Sequence, residues 1–284
     1  VIGERARLSG ALSRLRAQMA LLTPAQQRAA AYTLEHPREV VYQTVTELAE
    51  ASGTGVATVM RLCRDIGFGG FQEFKLALAA DLAGAPSSPD ALPSGTPESL
   101  IAQAARACAQ ALEETGKVLD PRELERALNA LADAPFILLT GQGASGVTAL
   151  DFAYKLLRLG LNAAATVDPH LAAMRAAVLP RGSVTVGITR SGSTIDTVHV
   201  LREARQSGAF VVAITHRARS PVTEYADCTL HTASPEDPLG GGAVASKVGQ
   251  LLVLEALYTG LATRVPGAQD AVRTTAAAVV DKSY

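Results

Sequence analysis

Between Val184 and Thr197 the chain reads Val-Thr-Val-Gly-Ile-Thr-Arg-Ser-Gly-Ser-Thr-Ile-Asp-Thr, and few folds accommodate that order. A short β-branched apolar run reads as a buried strand, and it breaks into hydroxyl residues around one glycine before an amphipathic helix begins. A strand delivers such a loop to a sheet edge, and Gly192 lets the backbone approach a ligand. The first N–H groups of the following helix lack intrahelical partners. With the hydroxyls of Thr189, Ser191, Ser193 and Thr194, they predict an anion cradle at the positive end of a helix dipole.

The same order of strand, glycine loop and helix recurs. Phe136-Ile137-Leu138-Leu139 leads into Gly141-Gln142-Gly143-Ala144-Ser145 and a helix expected to reach Leu159. Further strands are expected at Ala163–Val167, Phe210–Ile214 and Cys228–His231, and a long helix from Val244 to Leu261 closes the region. Short apolar strands alternating with helices imply an α/β domain: a five-stranded parallel sheet covered on both faces, with binding loops at the strands' carboxyl ends. Gly141-x-Gly143-x-x-Gly146 also fits the dinucleotide fingerprint, with Asp168 placed where an adenine ribose would lie. That reading leaves Thr189 to Thr194 without a role, whereas a phosphorylated sugar uses both loops.

The first third of the chain is helical. Leu8, Leu12, Leu15, Met19 and Leu22 recur at helical spacing, predicting an amphipathic helix. Thr23-Pro24-Ala25-Gln26 supplies an N-cap, a proline at the first helical position and a capping-box glutamine. That helix is expected to stop near His36-Pro37, because proline disfavours α conformation in the residue before it. Thr44-Val45-Thr46-Glu47 is a second capping box, Ser52-Gly53-Thr54 turns the chain, and a third helix runs from Val56 to Ile66. Two short helices joined by a tight glycine turn form the helix-turn-helix pattern, whose second helix enters the major groove. On that helix Val56, Val59, Met60 and Cys63 make an inward stripe, while Thr58, Arg61 and Asp65 fall on another face with Arg64 nearby. Thr54, Thr58, Arg61 and Arg64 are the candidate DNA contacts. The Pro-, Ser- and Gly-rich stretch 84–97 forms no packed element, so it is read as a linker between an all-α domain, 1–83, and the α/β domain, 98–284. Helices are expected around Leu100–Glu114 and Pro121–Ala132.

A chain of 284 residues is long enough for two cores. It is 48% hydrophobic but only 4% aromatic, which points to alanine-rich helices. A net charge of −1 argues against a chain coated in basic surface and leaves room for a small basic face. Cys63, Cys108 and Cys228 lack metal-like spacing and are odd in number, so they read as small apolar fillers in a reducing cytoplasm, with no metal site. No run reaches the roughly 18 apolar residues of a membrane span.

Glu47-Leu48-Ala49, Thr58-Val59-Met60-Arg61 and Gly67-Phe68-Gly69-Gly70-Phe71-Gln72-Glu73-Phe74-Lys75 occur in order. Over Leu22 to Leu82 they resemble the N-terminal domain of the RpiR family of bacterial transcriptional regulators. Gly55 departs from the Ser usual in that family at the start of the recognition helix. Thr54 is the alternative cap, and the lost hydroxyl costs about 1 kcal/mol or less, or one phosphate contact.

From Pro135 to Leu261, Gly141-x-Gly143-x-Ser145 followed by Thr189-x-Ser191-Gly192-x-Thr194 resembles the SIS (sugar isomerase) domain, and Ile214-Thr215 and Ser220-Pro221 fit its fourth-strand exit. The resemblance implies a three-layer αβα fold in which Ser145, Thr189, Ser191 and Thr194 grip a phosphate, with Gly143, Gly192 and Ser193 completing the loops. Some members have Ser and Gln where this chain has Thr189 and Arg190. The arginine adds a charged clamp or points to solvent.

An isomerase would need a general base. Glu255, His199, His231 and Glu236 are candidates, but each has a plainer reading: His199 as a helix residue, and Thr232 to Gly242 as a flap. Glu255 is expected to contact a sugar hydroxyl. A helix-turn-helix joined to a SIS domain implies a DNA-binding regulator rather than an enzyme, without a cofactor. Its implied partners are a double-stranded operator, a phosphorylated sugar effector and further copies in a homodimer or homotetramer. The alternative is a sugar-phosphate isomerase or lyase.

Overall fold

The computed structural model describes residues 10–83, 95–233 and 244–280. Leu8, most of the expected linker, Glu236 and most of the expected flap lie outside the described residues. The described chain forms two compact units, one up to Ile101 and one from Ala102, taken here one at a time.

In the first unit α1 (Ala11–Gln18) gives way to a 3-10 turn over Met19–Leu21. This helix is shorter than its leucine spacing predicts, because Thr23 adopts the extended conformation of an N-cap and the chain must leave the helix first. α2 (Pro24–Glu35) opens on the Thr23/Gln26 capping box and ends before His36. Pro37, read only as a stop, also starts the one-turn α3 (Pro37–Val40). A second capping box follows at α4 (Val45–Ala51), where Glu47 N donates to Thr44 Oγ1 at 3.1 Å and Thr44 N to Glu47 Oε2 at 2.6 Å.

α5 (Val56–Asp65) buries Val59, Leu62 and Cys63, with Val56 and Met60 half-buried, so Leu62 joins the inward stripe expected from the sequence. α6 (Phe71–Ala83) closes the unit, adding its own Phe74 and Leu78 to the core that holds Leu15, Leu48 and Leu62. The glycine-phenylalanine stretch before it is structural. The Phe68 and Phe74 rings meet edge-on at 5.7 Å, and the Arg14 guanidinium sits 4.7 Å over Phe68 while donating to Gly67 O.

The second unit begins within α7 (Pro97–Val118), at Ala102, and runs on through α8 (Pro121–Ala132), β1 (Ile137–Gly141), α9 (Ala144–Arg158), β2 (Ala163–Ala165), α10 (Pro169–Ala177), β3 (Val184–Ile188), α11 (Ile195–Gln206), β4 (Phe210–Thr215), β5 (Cys228–His231), α12 (Val244–Arg264) and α13 (Ala268–Val280). The strands are parallel in the order β2-β1-β3-β4-β5. Alternate residues feed two cores. Ile137, Leu139, Val186 and Ile188 pack under Phe152, Leu156, Val253 and Leu257 on one face. Leu138, Val211 and Ala213 meet Ala172, Val200 and Leu201 on the other. This is the expected αβα layering.

Gly187 is a point of close approach. A β-carbon there would lie 2.7 Å from Leu201 Cδ2, so α11 sits against β3 with no room for a side chain. The terminal α13, alanine-rich and without an N-cap signal, is an element beyond those expected from the sequence. Burial pushes the thiols of Cys63 and Cys228 up to about 12, so both remain neutral fillers. No helix among the described residues is long and apolar enough to cross a membrane.

Candidate functional site

Parallel strands β1 and β3 are neighbours, with Gly141 in register with Ile188. Their loops therefore emerge side by side at the carboxyl edge. The chain passes from β1 outward to β2 and returns to β3 on the other side, so this edge is the sheet's topological switch point, where open α/β sheets place their ligands. α9 and α11 start from these two loops, one on each face.

Both helices begin without a side-chain cap. Gly143 precedes α9 and has no side chain to offer, and Thr194 precedes α11 without capping it. Two other helices of this unit are capped, since Asp120 accepts from Arg122 N and Asp168 from Leu171 N, each at 2.7 Å. Asp168, placed at an adenine ribose by the dinucleotide reading, is exposed and caps α10 through Oδ1. At α9 the chain turns tightly, so that Ser145 N and Gly146 N donate to Gln142 O and Gly143 O, whereas the leading N–H groups of α11 are left for another acceptor.

The second loop is folded on itself. Thr189 Oγ1 and Thr194 Oγ1 lie 3.1 Å apart, Ser193 N donates to Ser191 Oγ at 3.2 Å, and Thr189 is buried while Ser191, Ser193 and Thr194 are half-buried. Arg190 is half-buried too, and its carbonyl accepts from His216 N at 3.2 Å. Gly192 has φ +65°, and a β-carbon there would overlap Ser220 Oγ. Only glycine meets both demands.

In the first loop Ser145 Oγ accepts from Gln250 Nε2 at 3.2 Å, and Gln250 Oε1 accepts from Thr148 Oγ1 at 3.1 Å. Polar atoms buried without partners at the strands' carboxyl ends include Gln142 Nε2 in this loop, Thr166 Oγ1 after β2 and His231 Nδ1 on β5. Buried polar atoms are normally satisfied, so Gln142 Nε2, between Gly141 and Gly143, is a donor available to a polar ligand. Burial holds the His231 imidazole below its ordinary pKa.

Glu255 stands elsewhere. It is exposed and pairs with Lys155 at 2.9 Å, and that hydrogen bond raises the lysine's pKa. Five residues along a helix turn a side chain by about 140° past a full turn, so when Gln250 faces Ser145, Glu255 faces out. Gln250 is the residue the motifs did not reveal. The sequence does carry a signal for it, since it lies on the stripe of Leu254, Leu257 and Leu261, where its amide interrupts an apolar face. His199 is exposed on α11 beside Arg202 and Glu203, and His170 is exposed on α10.

In the helical unit Arg61 and Arg64 are exposed on α5, with Thr58 and Thr54 half-buried beside them. Thr54 does not cap α5. Its hydroxyl bonds Ser52 Oγ at 2.9 Å, and the N-cap is Gly55, which gives no side-chain bond. Asp65 is also exposed but accepts from Gln26 Nε2 at 2.6 Å, tying α5 to α2.

Residues 9–85 match the helix-turn-helix domain of the rpiR family, and residues 130–260 match the SIS domain. An HTH-type transcriptional regulator from Haemophilus influenzae is 37% identical over 88% of this chain and 88% of its own length. Another, from Caldanaerobacter subterraneus subsp. tengcongensis, is 35% identical over 88% of this chain and 90% of its own. The structure of the Vibrio vulnificus NanR protein complexed with ManNAc-6P is similar at a TM-score of 0.83 and 35% identity, covering 96% of this chain and 99% of that one. With both domains matched in order and the likeness running through nearly the whole chain, the protein belongs to the rpiR family of HTH-type transcriptional regulators, a helix-turn-helix domain followed by a SIS domain.

Proposed function

We propose that this regulator binds a two-fold symmetric operator through α5 and alters that binding when a phosphorylated sugar occupies the edge between β1 and β3. The observation that carries the reading is the pair of uncapped helices, α9 and α11, opening from adjacent strand ends at the switch point with Ser145, Thr189, Ser191, Ser193 and Thr194 around them. Backbone N–H groups and hydroxyls match a phosphate's acceptor oxygens. The similarity to a protein complexed with ManNAc-6P supports the class of ligand. Arg190, Gly143 and Gly192 complete the two loops, and Arg61 and Arg64 supply the charge that DNA phosphates attract, with Thr58 and Thr54 beside them.

The mechanism is linkage. In a homodimer or homotetramer, a ligand preferring one arrangement of the SIS domains shifts the spacing of the paired helix-turn-helix units, and operator affinity follows. A coupling of about 1–3 kcal/mol changes that affinity roughly 5- to 150-fold. Sensing uses the loop residues without proton transfer, so no catalytic base is assigned. Glu255 is tied to Lys155 and His199 lies among charged neighbours.

The test is fluorescence anisotropy with palindromic fragments, with and without a panel of sugar phosphates. DNA binding is expected to fall at least tenfold in Arg61→Ala. Ser145→Ala/Ser191→Ala is expected to keep DNA binding and lose the ligand response, and an intact response in that double variant refutes the site. Turnover of any panel member would support the isomerase or lyase reading instead.

A further inference from the structure

Gln250 is 4% exposed on α12 and places a carboxamide where the neighbouring turns of the same stripe, Val253, Leu254 and Leu257, are apolar. Packing alone gives no reason for an amide there, and burying one without partners is costly. Its partners are both on α9, Ser145 at one end and Thr148 at the other.

A serine hydroxyl has one proton to donate and two lone pairs. When Gln250 Nε2 donates into one lone pair of Ser145, that serine's own proton is left for another acceptor. Ser145 is the second residue of α9, in the turn that opens on the carboxyl edge of the sheet. The same amide rotated by half a turn would accept the Ser145 proton and donate to Thr148, whose hydroxyl would then rely on Ala144 O, 3.2 Å away. An anion that takes the Ser145 proton selects the first arrangement over the second.

We infer that Gln250 is a positioning residue for the anion: by donating to Ser145 Oγ it aims that hydroxyl's proton into the site. The inference rests on the phosphate-site reading above. It makes a residue about a hundred positions away in sequence part of the affinity of the first loop.

The test uses the full chain, with orthophosphate and N-acetylmannosamine 6-phosphate as probes in isothermal titration calorimetry, and thermal unfolding recorded for every variant. Gln250→Met keeps length and shape without a donor. It is expected to weaken both probes about three- to tenfold, the scale of one net hydrogen bond. In the Ser145→Ala background the same substitution is expected to have no further effect. A merely structural role would lower affinity by the same factor with or without Ser145. That outcome, or an unchanged affinity in Gln250→Met, overturns the inference and leaves the phosphate site standing. A wild-type chain that binds neither probe overturns both. Should Gln250→Met fail to fold, Thr148→Val releases the far end of the amide. It is then expected to weaken binding about twofold, only while Ser145 is present, and no effect there overturns the inference.

Discussion

α5 in the helical unit and α9 and α11 in the α/β unit all begin without a side-chain cap, yet their surroundings differ. Behind α5 stand exposed guanidinium groups, Arg61 and Arg64. Around α9 and α11 stand hydroxyls that are half-buried or buried and held by one another or by Gln250. A charge in water acts over about 8 Å at physiological salt and tolerates imprecise placement. Hydroxyls and N–H groups act only at contact and in fixed directions. The first arrangement suits attraction to a long polyanion, and the second suits selection of one small anion by shape.

The largest expected effect is on salt dependence. If α5 and its neighbours engage about six DNA phosphates per dimer, raising salt from about 50 to about 200 mM should cut operator affinity roughly a thousandfold. Sugar-phosphate affinity should change by less than about threefold over the same range, because few mobile counterions are displaced. Anisotropy and calorimetry measure the two slopes, and equal slopes would erase the contrast.

Next is Gly192→Val, which puts a branched side chain at a positive φ and against Ser220. It should cost about 2–3 kcal/mol in the α/β unit and abolish ligand response. Hydrogen exchange should locate the loosening around β3 and α11 while α2 to α5 keep their protection.

The third concerns acid. Burial lowers the His231 pKa, so below the ordinary value of about 6.5 the unfolded chain binds the proton that the folded chain resists. Stability of the α/β unit should be full above about pH 7.5 and fall as pH drops through 6.5 toward the lowered folded value. His231→Gln should flatten that decline, and an unchanged melting profile between pH 5 and pH 8 would count against the assignment.

The smallest is Gly55→Ser. The site has no atom within 4 Å of an added β-carbon and φ is −98, so a serine fits and should cap α5 for a few tenths of a kcal/mol. The same hydroxyl should raise DNA affinity slightly if the first turn of α5 lies at a phosphate, and leave it unchanged otherwise.

What the chain disclosed in advance follows from the range of the forces involved. The capping boxes at Thr23 and Thr44 depend on residues three apart, and both are present. The parallel sheet followed from apolar runs and glycine loops of the same local kind. Local signals failed where a proline ended one helix and began another at Pro37, and where α13 had no cap to announce it. At the site, the loop residues lay within motifs, while Gln250 is joined to Ser145 across a gap that no motif spans. Charge drew attention to Glu255, and the helical rotation that turns it toward Lys155 was already encoded in the spacing of Leu254, Leu257 and Leu261.

The close fit at Gly187 bears on how α11 is aimed. That helix is about 18 Å long and rests on Leu201 near its middle, with its first turn projecting toward the sheet edge. A methyl group at position 187 would act as a wedge beneath the lever, tilting the far end and swinging the leading N–H groups off their target. The direction in which the molecule offers those groups is thus governed by a side chain that the strand lacks at position 187, where Leu201 takes up the room instead.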